Sequence, residues 1–145
     1  LNDQARAILL AMVNTGARPS ELAALTSEGI RLDHEVPHIS IEAVGRQLKS
    51  ANARRVIPLL GVSLEAVIAF PDGFDRYRGS SATLSGTINK YLRDNGLLET
   101  DRHSLYGLRH AFEDRLLAAG LKPTERAEQV PLEGFCALAR EIAKG

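Results

Sequence analysis

The chain has little of several things, and each scarcity excludes something. Its 145 residues include one cysteine, so no internal disulfide can staple it. That cysteine, Cys136, lies among Phe135, Ala137 and Leu138 and reads as a small buried hydrophobe, not a reactive thiol. Tryptophan is absent and aromatics make up only 5%, so the core must be built from Leu, Ala, Ile and Val. No apolar run approaches the roughly 18 residues of a membrane span, and the start does not resemble a signal peptide. Charge of one sign is lacking too. Eighteen Lys and Arg balance eighteen Asp and Glu, which does not advertise a polyanionic partner. Distribution says more than the sum, because Arg46, Lys49, Arg54 and Arg55 fall together with no acid among them.

What is present suffices for one soluble globular domain, with 44% apolar and 25% charged residues. The chain opens inside what reads as a helix, so a piece of something longer is expected. Asp3 reads as the N-cap of a first helix with Ala7, Leu10 and Ala11 on its apolar stripe. Thr15-Gly16 breaks the pattern, and Pro19 opens a short second helix through Leu25. Leu32, Asp33 and "HEVP" read as a connection. "HISIEAV" alternates as a half-buried strand, and "RRVIPLL" reads as another in which Pro58 marks an edge or an end. Between them "GRQLKSANA" has turn composition and carries Lys49 at a hairpin tip. Ser63 reads as the start of a third helix, although Ala66 stands where a capping box wants Glu or Gln. Leu84, Ile88 and Leu92 mark a fourth, stopped by Gly96. In the fifth, Leu105, Leu108, Phe112, Leu116 and Ala119 share a face that ends at Gly120. Leu132, Phe135, Leu138 and Ile142 form a last amphipathic stretch. The fold class expected is mainly α (α+β), a helical domain with one small antiparallel β-sheet.

Two arginines sit at helix mouths, Arg18 before Pro19 and Arg109 at the start of the fifth helix. Each has an ordinary explanation: Arg18 can pair with Glu21, and Arg109 with Glu113 or Asp114, for at most about 1 kcal/mol at a surface. The conjunction of "TGARPSEL", a hairpin lysine ahead of "RRVIPL", and "SLYGLRHAF" resembles the catalytic domain of the tyrosine recombinases, the phage-integrase family. Ala17, Arg18, Glu21 and Leu22 match its A-R-x-x-E-L box. Leu108, Arg109 and His110 match the end of its H-x-L-R-H box, and Lys49 matches its hairpin lysine. The resemblance runs from residue 1 to about 125.

It implies site-specific cleavage and rejoining of double-stranded DNA through a 3′-phosphotyrosyl intermediate, without metal or other cofactor. Arg18 and Arg109 would clamp the phosphate as fixed guanidinium forks, and Lys49 would act as general acid. Glu21 would steady Arg18, or serve only as a first-turn acid favoured by the helix dipole. His110 would support the site, or be an ordinary buried histidine. Arg54, Arg55, Lys90 and Arg93 are candidate DNA contacts or a solvated face. Arg18→Ala and Arg109→Ala are both expected to leave folding nearly unchanged.

The chain departs from that family's pattern in two places. Tyr106 stands where the first histidine is usual, and can donate to a phosphate oxygen but cannot act as a base near neutrality. No tyrosine follows Arg109, since Tyr77, Tyr91 and Tyr106 are the only three. The nucleophile segment is therefore missing near residues 129–130, and the family's preceding DNA-clamping domain is absent as well. The reading is one domain over residues 1–145, of mobile-element or prophage type, cytoplasmic and nucleoid-associated, with self-association through residues 132–142 open. Two alternatives stand beside it: a catalytically inactive DNA-binding module of the same fold, and a helical protein-interaction domain. His34 and His38 lie four apart across Pro37, but no third metal ligand is evident, so no metal is expected.

Overall fold

The computed structural model describes residues 1–41, 55–98, 100, 103–105 and 107–118, with Arg55 and Leu116 described in backbone only. Among the described residues the α-helices are α1 (Asp3–Val13), α2 (Pro19–Ala23), α3 (Gly61–Ile68), α4 (Ser81–Asp94) and α5 (Gly107–Ala118). Three short strands, β1 (Ile30–Arg31), β2 (His38–Ile41) and β3 (Arg55–Pro58), form an antiparallel sheet in the order β1-β2-β3. The expected mainly helical class with one small antiparallel sheet is what the chain adopts.

α1 is the hub, packed against α2, α3, α4 and α5. Its sequence explains why. Ala5, Ala7 and Ala11 are buried beside Ile8 and Met12, and small residues let neighbouring helices approach on several sides. The helix starts one residue earlier than the expected cap, because the Asn2 carboxamide oxygen accepts from the Ala5 N–H at 3.0 Å. Asp3 becomes a first-turn acid, where the helix dipole favours it. The Asn2 amide also donates to the Tyr77 hydroxyl, while Gln4 donates to Asp75 at 2.7 Å and accepts from the Arg76 N–H at 3.1 Å. The Gln4 hydrogen bond holds the Asp75 carboxyl below the usual carboxylate range.

In the sheet, Ile39 lies opposite both Ile30 and Ile57, and all three are buried with Ile41. Arg31 and Val56 point the other way and are exposed. β1 precedes the connection expected over residues 32–37 and was not expected itself, since a two-residue strand is too short to show alternation. Pro58 closes β3, as expected of a residue with no N–H for the ladder.

The start of α3 also differs. The helix begins at Gly61, and Ser63 is a fully buried residue of the first turn. Its hydroxyl lies 2.9 and 3.0 Å from the Leu10 and Ala11 carbonyls and accepts from the Asn14 N–H at 3.0 Å. Ser63 therefore joins α3 to the end of α1 instead of capping its own helix. α4 ends as expected, with Asn95 at its C-cap and Gly96 at φ 63°.

Candidate functional site

The site grows from the way α1 ends. Asn14 is the C-cap, the Thr15 hydroxyl donates to the Ala11 carbonyl at 2.7 Å, and it accepts from the Ala17 N–H at 3.2 Å. Gly16 takes φ 65°, a left-handed conformation that reverses the chain within one residue. Arg18 follows in extended conformation as the N-cap of α2, with Pro19 at the first helical position.

An arginine is the wrong residue for that place. An N-cap wants a side-chain acceptor, and a guanidinium only donates. Its positive charge also faces the positive end of the helix. Half of a capping arrangement survives, because Glu21 accepts from the Arg18 N–H at 2.8 Å. The Arg18 and Glu21 side chains approach only to 3.8 Å, and the Arg18 side chain remains 43% exposed.

Arg109 reaches the same turn from α5. Its Nη1 donates to the Gly16 carbonyl at 2.9 Å, two residues before Arg18, and its Nε lies 3.8 Å from Glu113. Arg109 is 8% exposed, the one charged residue that is buried among the described residues. Phe112, one turn on, is fully buried against Gly16, and a Cβ added to that glycine would meet the ring at 2.3 Å. The start of α5 is tied to α4, where Asn89 accepts from the Leu105 N–H at 2.8 Å.

Arg18, Glu21 and Arg109 thus meet at one turn. The two arginines differ in kind, however, since Arg109 is a buried strut and Arg18 is half open to solvent. That separates their expected effects on folding, which the sequence reading had treated alike. His110 is neither buried nor packed in the core: its side chain is 77% exposed, with Nδ1 3.7 Å from Glu113. Lys90 bonds Asp94 at 2.8 Å along α4 and holds that carboxyl low, and Arg93 is exposed on the same helix. Neither shows a contact with the Arg18 turn among the described interactions. Lys49, Arg54 and Tyr106 lie outside the described residues, as do residues 129–130 and 132–142; Arg55 is the first residue of β3. His34 and His38 meet edge to face with ring centres 4.9 Å apart. Among the described residues no three metal-binding side chains converge.

One contributor went unnoticed in the sequence. Arg115 donates from Nη1 to the Val13 carbonyl and to the Asn14 carboxamide oxygen, both at 3.1 Å. The signal was there, since Arg109, Phe112 and Arg115 recur every three residues along one side of α5.

Comparison with known proteins divides sharply. No family model matches the chain. Among solved structures, the integrase from mycobacterium phage Brujita aligns with 95% of this chain and 52% of its own, at TM-score 0.65 and 21% identity. The Tn1549 transposon integrase in complex with transposon right end DNA aligns with 92% and 49%, at TM-score 0.53 and 17% identity. At such identities the likeness shows the fold, and the fold is theirs.

The curated relatives carry another name, ribosomal RNA small subunit methyltransferase A. The one from Jannaschia sp. (strain CCS1) is 77% identical over 39 residues, 27% of this chain and 14% of its own length. The one from Ruegeria pomeroyi is 72% identical over 43 residues, 30% and 15%. The one from Ruegeria sp. (strain TM1040) is 41% identical over 88 residues, 61% and 30%. The chain thus spans under a third of the length of these relatives. These matches overturn the expectation of a site-specific strand-cleaving recombinase. High identity attaches to a different enzyme name, and the integrase likeness carries architecture alone.

Proposed function

We propose that this chain binds duplex nucleic acid through its backbone phosphates, as the binding portion of a nucleic-acid enzyme. The observation that carries the reading is Arg18. A guanidinium at the N-cap forgoes about 1 kcal/mol that Ser, Asp or Asn would contribute. It stands there half exposed, on a turn whose backbone the buried Arg109 holds. A donor fork presented from a fixed turn suits a phosphate oxygen.

Both sets of relatives support a polyanionic partner. One is named for ribosomal RNA, and the other includes an integrase solved with transposon end DNA. Duplex DNA comes first, because the fold likeness covers more than nine-tenths of the chain. Lys49 and Tyr106 belong to the proposal as further phosphate donors. No strand cleavage is part of it.

A chain of zero formal charge should neutralise few phosphates, so binding should be weak and only moderately salt-dependent. Fluorescence anisotropy with labelled DNA and RNA duplexes across a salt series tests this. Arg18→Ala should weaken binding about equally for unrelated sequences and reduce the salt slope by about 1. Tighter binding to RNA would move the partner to the ribosomal side. Identical salt slopes for wild type and variant would remove Arg18 from the interface and the proposal with it.

A further inference from the structure

α5 grips the Arg18 turn from both ends. Arg109 holds the Gly16 carbonyl, Phe112 fills the space against Gly16, and Arg115 holds the last carbonyl of α1 and the Asn14 side chain. Asn14 is 5% exposed and is pinned from a second direction, where its amide donates to the Leu60 carbonyl at 3.1 Å. Its backbone N–H goes to Ser63. The start of the turn is therefore clamped between α3 and α5. Only three residues separate Asn14 from Arg18, and hydrogen bonds hold all three: Thr15 to Ala11, Ala17 to Thr15, and the Gly16 carbonyl to Arg109. Where Asn14 is held determines where Arg18 is presented.

We infer that Arg115 is a positioning residue for the Arg18 phosphate contact, acting through Asn14 and not by touching nucleic acid itself. This rests on the proposed function. Both bonds come from one atom, Arg115 Nη1, whose two N–H groups meet acceptors on consecutive residues, Val13 O and Asn14 Oδ1. A cation against the carbonyls at the end of α1 also meets the favourable end of that helix dipole.

A double-mutant cycle in the full chain tests it, with anisotropy on a labelled DNA duplex, a salt series, and circular dichroism to confirm folding. Arg115→Ala should weaken binding about fivefold in the wild-type background and no further in an Arg18→Ala background. Arg115→Lys keeps the charge on a shorter side chain, whose ammonium falls short of the place Nη1 occupies between the two acceptors, and should also bind more weakly than wild type. Equal losses in both backgrounds, with a further drop in salt slope and full restoration by lysine, would make Arg115 a direct phosphate contact and overturn the inference. A lowered melting temperature with unchanged affinity of the folded protein would make it a structural cap and overturn it equally. If Arg115→Ala does not fold, Arg115→Lys decides, and wild-type affinity in that variant sinks the idea. If Arg18→Ala alone leaves binding untouched, the proposed function fails instead.

Discussion

Gly16→Ala is expected to destabilise the domain by about 3 kcal/mol, measured as a shift in the urea midpoint without change of slope. Two effects add at this one position. The backbone is at φ 65°, where an L side chain costs about 1–2 kcal/mol. The new methyl would also sit 2.3 Å from Phe112 Cδ1 and 2.8 Å from Cε1, in a ring that is fully buried. Overpacking of that kind typically costs about 1–3 kcal/mol. For a domain of this size the combined loss is about 10 °C in melting temperature. Gly96→Ala isolates the first effect, because Gly96 has φ 63° with nothing within 4 Å of the added carbon. It should cost about 1–2 kcal/mol. Equal losses at the two glycines would show that Phe112 does not hold α5 to the turn.

Arg109→Ala is the second large effect, at about 3 kcal/mol. The substitution removes a charge-assisted hydrogen bond from the Gly16 carbonyl and the cation beside the half-buried Glu113. Arg18→Ala should stay within about 0.5 kcal/mol of wild type, since the side chain is 43% exposed and its contact with Glu21 is a 3.8 Å surface pair. Urea unfolding of the two variants therefore separates two arginines that look alike in the motif. If both proved neutral, Arg109 would not be the strut that its burial indicates.

Much of the framework was legible because it is periodic. Ala7 and Ala11 in α1, Leu84 and Ile88 in α4, and Leu105 and Phe112 around α5 recur at helical spacing and are buried. Ile39 and Ile41 alternate with polar neighbours and face the core. The misplacements share one cause: a polar side chain can serve its own element or another. Asn2 and Asp3 are both good caps, and only the bond to Ala5 chooses between them. Ser63 has the look of a cap, yet its partners are Leu10, Ala11 and Asn14, about fifty residues away. Arg115 resembles any solvated helix charge until the end of α1 is brought beneath it.

The site residues were legible as motif positions. Arg18 and Arg109 stood out as cations at two helix mouths, in boxes that resemble one family's. That Arg18 occupies an N-cap, against local preference, is visible only in the fold. The activity did not follow from the same motifs. An architecture rests on many dispersed apolar positions and persists at 17–21% identity, whereas a reaction rests on a few side chains. His110 illustrates the gap, since it matches the motif and yet lies exposed.

The most direct measurement is a crystal structure of the protein with a short duplex. We expect a backbone phosphate oxygen at about 2.7–2.9 Å from the Arg18 guanidinium, with Arg109 still on the Gly16 carbonyl beneath it. A duplex seated elsewhere, with Arg18 turned only to Glu21, would contradict the account.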